Sequence, residues 1–410
     1  MTDSLFELAC EREGAPGSFN RGENEQLEGF PRGLGFRSMF EFIEISDSPR
    51  KVDMLESIKG LFNRFNNKLY FSDMEAVLKY MDLPTCLKSK LYAVLGGETR
   101  GYIELDDFLR AWKKWRCMDE DAEVFLSICK KTGTTYLDKE DVRQLMEELV
   151  SWHEAFELAR EDYLPEYIDT VVTKLFFGHW TGKLGAGHIR ENKIIQEFLF
   201  IEKQGNIYDV KDQVFGWNDF KIIHDEFLLL SEGEDHITVE NFRSHVGYDV
   251  SNLFINRLCK SCHKGKIRYT DFVTFLLANA DPFHPKSIEY FFRLLDVDDD
   301  GILSLHDVEL LYCEMEKMSS DLDASIADFQ NFTCMMLDAI RPKNKHYFTV
   351  SDMKRSQLAP LFIDCLINVS TCIDFATDRI GMTIDASQGC LPPYGNHSFL
   401  GDSLQELENH

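Results

Sequence analysis

The sequence contains no long apolar run and no excess of basic residues. Its longest apolar runs, such as residues 227–230, are far shorter than the roughly 20 residues that a membrane-spanning helix needs. Lys and Arg total 44 against 70 Asp and Glu, which gives a formal net charge of -26. Phosphate contacts need clustered basic side chains, so we expect neither nucleic acid nor an anionic membrane surface as a partner. Basic protein surfaces and divalent cations fit this charge better.

Recognisable catalytic motifs are also missing. The sequence has no nucleophile elbow, no kinase signature and no phosphate-binding loop, because the glycines within residues 182–187 lack the spacing and the Lys-Ser/Thr pair of such a loop. Abundant carboxylates are the only feature that suits a metal-assisted hydrolase, and any acidic chain carries them. We therefore predict that the protein is not an enzyme.

The beginning of the sequence and its cysteines predict a reducing compartment. Residues 1–7 lack the basic and apolar segments of a signal peptide. The eleven cysteines are an odd number at irregular spacing, which favours reduced thiols over a disulfide framework. We expect a cytoplasmic protein, with nuclear or cytoskeletal association as the alternatives.

Helical periodicity dominates the body of the chain, and convincing strand alternation is rare. The predicted fold is all-α, an elongated array of EF-hand-like helix–loop–helix pairs. Residues 1–37 and 379–410 are rich in glycine and polar residues and are predicted to be disordered. Between them we expect a helical domain of degenerate units, residues 38–220, and a paired EF-hand domain, residues 221–378.

One unit recurs along this body. An amphipathic helix leads to a short polar loop with a single apolar residue near its end, and an acidic residue and a second amphipathic helix follow. Because two EF-hands pair through a small antiparallel contact between their loops, that apolar residue is expected to lie in the contact. A helical bundle with polar turns is the alternative for the degenerate copies. The unit occurs at residues 96–108, 132–141, 178–190, 231–242, 260–271, 296–307 and 341–352.

The copy at residues 296–307 has the composition of a calcium loop. Calcium prefers six to eight oxygen ligands, and an EF-hand loop supplies them from positions 1, 3, 5, 7, 9 and 12. Gly301 occupies position 6, where the chain turns with positive φ. The predicted metal ligands are Asp296, Asp298 and Asp300, the backbone carbonyl of Ile302, Ser304 through a water molecule, and Asp307.

Position 12 is Asp307 instead of the usual Glu. An aspartate is one methylene shorter, so bidentate contact with Ca²⁺ is harder and a six-coordinate geometry that suits Mg²⁺ is favoured. We expect one Ca²⁺ site with a dissociation constant on the order of 10⁻⁶ to 10⁻⁴ M, which Mg²⁺ can also occupy.

The other loops lack the necessary carboxylates. Residues 260–271 offer Lys260, Cys262 and Lys264 at ligand positions, and residues 341–352 offer three basic side chains. In residues 231–242 the acids are wrongly spaced. These units are predicted to be structural: they bury apolar faces and pair with neighbours without metal.

The stretch from Ser287 to Asp296, Ser-Ile-Glu-Tyr-Phe-Phe-Arg-Leu-Leu-Asp, resembles the B″ class of regulatory subunits of protein phosphatase 2A. Residues 264–273 and the motifs Met336-Leu337-Asp338 and Arg341-Pro342-Lys343 fit the same family, and the resemblance extends over about residues 50–375.

This resemblance implies a regulatory, substrate-targeting subunit that docks on a helical-repeat scaffold subunit and on the catalytic subunit. It also implies phosphoprotein substrates, Ca²⁺-modulated assembly, and a metal role for the six residues named above, which match the family's second hand. The family's first hand corresponds to residues 231–241, where the alternating aspartates are absent. Calcium control through that hand is therefore not expected. The alternative is a stand-alone EF-hand Ca²⁺ sensor or adaptor with a different protein partner.

Overall fold

Helices make up nearly all of the regular structure in the computed structural model, which describes residues 49–118, 120–157, 159, 161–179, 182–210 and 214–381. Strands in these residues occur only as two-residue antiparallel pairs, so the predicted all-α class is confirmed. None of the helices in these ranges is long and apolar enough to cross a membrane. The predicted disordered segment 1–37 lies outside the described residues, as does the predicted tail beyond residue 381.

The first pair of helix–loop–helix units contains one unit that the sequence pattern did not reveal. Residues 65–73 connect its two helices. The elements of this pair are α1 (Pro49–Arg64), β1 (Lys68–Leu69), α2 (Met74–Tyr80), α3 (Lys88–Val94), α4 (Gly97–Arg100), β2 (Ile103–Glu104) and α5 (Leu105–Trp115).

The second pair has the same plan, but its loops meet through a single bridge between Leu137 and Leu184. Its elements, with the helix that follows, are α6 (Asp121–Cys129), α7 (Lys139–Trp152), α8 (Leu164–Phe176), α9 (Ala186–Glu191) and α10 (Ile194–Ile201).

The third pair continues the array and packs on the second through α14 against α8. It consists of α11 (Trp217–Ser231), β3 (His236–Ile237), α12 (Val239–Val246), α13 (Asn252–Ser261), β4 (Ile267–Arg268) and α14 (Tyr269–Ala280). The predicted domain boundary at residues 220 and 221 falls inside α11, and the described residues from 49 to 381 form one compact unit. The division into two domains stays a prediction.

The fourth pair contains the predicted metal loop, and two further helices close the array. The elements are α15 (Pro285–Leu295), β5 (Leu303–Ser304), α16 (Leu305–Asp321), α17 (Phe329–Ile340), β6 (Tyr347–Phe348), α18 (Val350–Arg355), α19 (Ala359–Ile367) and α20 (Val369–Gly381). Short 3-10 turns connect elements along the chain at Phe71–Asp73, Thr85–Leu87, Glu154–Phe156, Glu161–Tyr163, Ile207–Asp209 and His263–Gly265.

The single apolar residue in each loop lies in the contact between paired loops, as the sequence pattern predicted for every unit except the first, which it missed. The facing residues are Leu69 and Ile103, Leu137 and Leu184, Ile237 and Ile267, and Leu303 and Phe348. All eight side chains are buried. Each pair of loops therefore closes over a small apolar contact, and this contact brings together units that lie 30 or more residues apart in the chain.

Candidate metal centre

The predicted metal loop joins α15 to α16, and both helices anchor it through buried apolar faces. The residues predicted to line these faces are all buried: Ile288, Phe291, Phe292 and Leu295 before the loop, and Val308, Leu311, Tyr312 and Met315 after it. Of the first and last carboxylates of the loop, Asp296 directly follows the first packed segment and Asp307 directly precedes the second. Helix packing therefore fixes both ends of the loop.

Three of the predicted ligands converge. Carboxylate oxygens of Asp296, Asp298 and Asp307 lie within 4.8 Å of one another. Asp296 and Asp307 are buried, at 5% and 2% exposure, whereas Asp298 is exposed. Carboxylate oxygens are the ligands that Ca²⁺ and Mg²⁺ prefer, so this group fits a hard divalent cation.

The remaining predicted ligands have other contacts in this structure. Asp300 accepts a hydrogen bond at 2.9 Å from the Ile302 amide, and it lies outside the group of three carboxylates. The Ser304 hydroxyl donates to Asp307 Oδ2 at 2.5 Å. Coordination by Asp300, Ser304 and the Ile302 carbonyl stays a prediction.

The backbone of the loop wraps around the Asp296 carboxylate. The Gly301 amide donates to Asp296 Oδ2 at 2.8 Å, and the Asp300 amide donates to Oδ1 at 3.2 Å. Gly301 has φ of 87°, and an added Cβ would meet no atom within 4 Å. The backbone conformation, and not a lack of space, is therefore the reason for glycine at this position.

The charges at the site favour a bound cation. Burial raises the pKa of Asp296, and the nearby carboxylates of Asp300 and Asp307 raise it further. Concentrated negative charge is costly in a partly buried site unless a positive charge neutralises it. A divalent cation would supply that charge.

In three of the degenerate loops, a basic side chain already pairs with the last aspartate. Asp107 pairs with Arg100 and Arg110, Asp141 lies 3.4 Å from the Lys131 Nζ atom, and Asp352 pairs with Arg355. Across the residues that the structure describes, Asp307 has no ion-pair partner. These three loops therefore already contain a cationic partner for the last aspartate, whereas the loop at 296–307 does not.

The last loop aspartate also caps the helix that follows, which explains why it persists in loops without metal ligands. The Ser304 amide donates to Asp307 Oδ2 at 2.9 Å, and the Asp307 amide donates back to Ser304 Oγ at 3.2 Å. The same reciprocal arrangement, a capping box, joins Asp138 with Asp141 and Thr349 with Asp352. Position 12 therefore has a structural role in addition to any metal role.

A side chain from the third pair reaches the metal loop and was not found by sequence reasoning. The guanidinium of Arg257 on α13 contacts Asp299 through two hydrogen bonds, of 2.6 and 3.1 Å. Asp299 is at position 4 of the loop, which supplies no ligand in the EF-hand pattern. The two residues are 42 positions apart, so no local pattern in the sequence indicates the contact.

The fold and this loop define the class of the protein: an all-α protein of paired EF-hands. Comparison with known families agrees, because a family model described as an EF-hand domain matches residues 119–204. That match covers the second pair of units and does not include the loop at 296–307.

Known relatives identify the group to which the chain is similar. It is 28% identical to the human B″ beta regulatory subunit of protein phosphatase 2A over 361 residues, which is 84% of this chain and 62% of the relative. It is also 28% identical to the mouse B″ delta regulatory subunit over 314 residues, 72% of this chain and 63% of the relative. The chain thus spans less than two thirds of the length of these relatives.

A solved structure is also similar to this chain. A chain of the PP2A PR70 holoenzyme matches with a TM-score of 0.59 and 28% identity. The match covers 62% of this chain and 99% of the solved chain. These comparisons confirm the resemblance found in the sequence: the chain is a homologue of the B″ regulatory subunits of protein phosphatase 2A.

Proposed function

We propose that the chain is a non-catalytic regulatory subunit of protein phosphatase 2A. It would bind the helical-repeat scaffold subunit and the catalytic subunit and bring phosphoprotein substrates to the active site. The observation that carries this proposal is its similarity to named B″ regulatory subunits over 72% to 84% of the chain. A cytoplasmic location, with nuclear or cytoskeletal association as alternatives, follows from the interpretation of the cysteines as reduced thiols.

Calcium would act at residues 296–307 in this proposal. A bound Ca²⁺ supplies positive charge to the converging Asp296, Asp298 and Asp307 carboxylates and links the end of α15 to the start of α16. Helix α16 packs against α19 and α20, so a fixed loop also restrains the last helices of the array. We expect a single site in this chain, because residues 231–242 lack the alternating aspartates.

Mg²⁺ would compete for the same loop. The short side chain of Asp307 suits a six-coordinate ion, and Mg²⁺ requires near-octahedral geometry. Stabilisation by an ion grows as RT ln(1 + [L]/Kd), so a weak site responds only to a strong rise in Ca²⁺. We therefore expect Mg²⁺ to occupy the loop at rest and Ca²⁺ to replace it during such a rise.

Co-purification with the scaffold and catalytic subunits, with and without Ca²⁺, tests the proposal. Wild type and Asp296→Ala are compared with Glu309→Gln, which removes one negative charge from the exposed surface of α16. A stable three-chain complex supports the regulatory role, and a loss of Ca²⁺ sensitivity in Asp296→Ala alone places the switch at this loop. Absence of any complex under both conditions overturns the proposal and favours a Ca²⁺ sensor or adaptor with another partner.

A further inference from the structure

Helix α13 belongs to the third pair, yet it contacts the metal-binding unit at its N-terminus and again near its middle. At its N-terminus, the Glu314 carboxylate on α16 accepts hydrogen bonds from the amides of Asn252, at 2.9 Å, and Leu253, at 3.0 Å. It also accepts one from the Ser251 hydroxyl. One turn and a half further on, Arg257 reaches the other side of the same unit. Helix α13 therefore touches the elements on both sides of the metal loop.

The contacts of Arg257 concentrate on the first half of the loop. Its guanidinium forms the two hydrogen bonds to Asp299, donates to the carbonyl of Arg293 at 3.3 Å and to that of Leu294 at 3.4 Å, and also donates to the carbonyl of Asp296. The residue is 8% exposed. A buried arginine can satisfy its five donors only where acceptors are arranged to receive its planar fork, which makes its position specific.

These contacts hold the loop at two points that matter for metal binding. Asp296 supplies the first ligand, and Arg257 binds the carbonyl of that residue. Asp299 has φ of 63°, in the left-handed region that costs energy for a residue with a side chain, and Arg257 binds its carboxylate. A loop held in its binding conformation loses less conformational entropy when the ion binds.

The positive charge of Arg257 opposes a bound cation, and Asp299 offsets this effect. The carboxylate receives both arms of the guanidinium and is also 3.2 Å from the Lys260 Nζ atom. Because it is paired in this way, Arg257 donates hydrogen bonds to the loop while the ion pair adds little net positive charge beside the site. Removing Asp299 would leave the guanidinium unpaired beside the site.

We propose that Arg257 is a positioning residue for the metal site, acting through Asp299 and the Asp296 carbonyl, and that α13 is coupled to metal occupancy through it. This inference rests on the proposed Ca²⁺ binding at residues 296–307. By thermodynamic reciprocity, an element that raises the affinity for Ca²⁺ is itself stabilised when Ca²⁺ binds. The third pair, which lacks its own ligand set, would therefore respond to the metal state of the fourth.

Calorimetric Ca²⁺ titration of the full chain tests the inference, with urea unfolding of the metal-free protein measured in parallel. Arg257→Met and Asp299→Asn are each expected to weaken Ca²⁺ binding about tenfold to hundredfold, the usual cost of losing a residue that supports a ligand. The double variant should be no weaker than the poorer single one, because both changes break one contact. Arg257→Lys should restore little affinity, since an ammonium cannot replace the fork.

Lys260→Met is the matched control, because Lys260 contacts the same Asp299 carboxylate from an exposed position. The Ca²⁺ affinity of the Lys260→Met variant should not fall. Should Arg257→Met fail to fold, Arg257→Lys decides, because it keeps the positive charge and removes only the planar fork of hydrogen-bond donors.

Failure of this inference and failure of the metal proposal beneath it would give different results. Unchanged Ca²⁺ affinity in both variants, with only the stability of the metal-free protein reduced, would mean that Arg257 has a structural role alone and would overturn this inference. No Ca²⁺ binding by the folded wild type would instead overturn the metal proposal beneath it.

Discussion

Leu303 of the metal loop lies directly opposite Phe348 of the neighbouring loop in the antiparallel pair β5–β6, and both side chains are fully buried. A further hydrogen bond of 3.3 Å joins the Leu305 amide to the His346 carbonyl. The partner loop carries Arg341, Lys343 and Lys345 at its ligand positions. The metal loop is therefore supported by a loop that repels metal.

Phe348→Ala is expected to weaken Ca²⁺ binding although Phe348 lies in the loop without ligands. Loss of the buried ring should lower the free energy of unfolding by about 3–5 kcal/mol and loosen the support under Leu303. Urea unfolding and calorimetric Ca²⁺ titration measure the two effects. Phe348→Leu, which keeps an apolar contact, is the control and should retain most of the affinity. Equal affinity in all three proteins would show that the loops act independently.

Asp307→Glu should strengthen Ca²⁺ binding selectively. The added methylene lets the carboxylate reach the ion with both oxygens, and Glu at this position also suits the capping box with Ser304. We expect Ca²⁺ affinity to rise on the order of tenfold, a modest part of the range over which EF-hand loops vary. Affinity for Mg²⁺ should not rise.

Asp352→Glu changes the same position in the partner loop and serves as the control for this experiment. It should leave Ca²⁺ affinity unchanged, because Arg355 pairs with that carboxylate. A fall in Ca²⁺ affinity in Asp307→Glu would mean that the shorter side chain is required by the loop and is not the cause of weak binding.

Arg100→Gln tests the idea that basic side chains replace metal in the degenerate loops. It removes one of two arginines from the buried Asp107 carboxylate and should lower the free energy of unfolding at pH 7 by about 1–2 kcal/mol. Loss of a fully buried pair would cost more, but Arg100 is partly exposed and Arg110 remains. Arg116→Gln, on the exposed residue just after α5, should have no measurable effect.

The difference in the free energy of unfolding between wild type and Arg100→Gln should change with pH in a definite direction. Burial alone would raise the pKa of Asp107, but the Glu104 amide and the two guanidiniums lower it below its ordinary value. A depressed carboxyl pKa contributes stability above the unfolded value, about 3.9, and loses it as the pH falls toward the folded value. The gap between wild type and Arg100→Gln should therefore be full at pH 7 and shrink below about pH 4. A gap that is constant with pH would exclude the ion pair as its source.

The sequence predicted features that depend on neighbours in the chain. Ligand spacing in residues 296–307 and the apolar faces of the flanking helices are local patterns, and so is the single apolar residue in each loop. The unit around residues 62–74 was missed, because its loop turns at Asn66 and Asn67, both with positive φ, and has no glycine or acidic pattern there.

Contacts between distant residues could not be predicted in the same way. Arg257 and Asp299 come together only because α13 packs against α15 and α16. The pairing of Lys131 with Asp141 depends likewise on the folded loop, since isolated basic residues are common in helical proteins. Ligand composition already separates the loop at 296–307 from the others in the sequence, and the ion pairs of Asp107, Asp141 and Asp352 add a difference that only the folded structure shows.

The number of Ca²⁺ ions bound by the folded chain tests the proposed metal site most directly. Equilibrium dialysis or calorimetry with wild type and Asp296→Ala, both checked for helical content, would measure it. We expect one ion per wild-type chain and none in Asp296→Ala. No bound Ca²⁺ in the folded wild type at millimolar concentration, or a bound ion that persists in Asp296→Ala, would contradict the assignment of the site to residues 296–307.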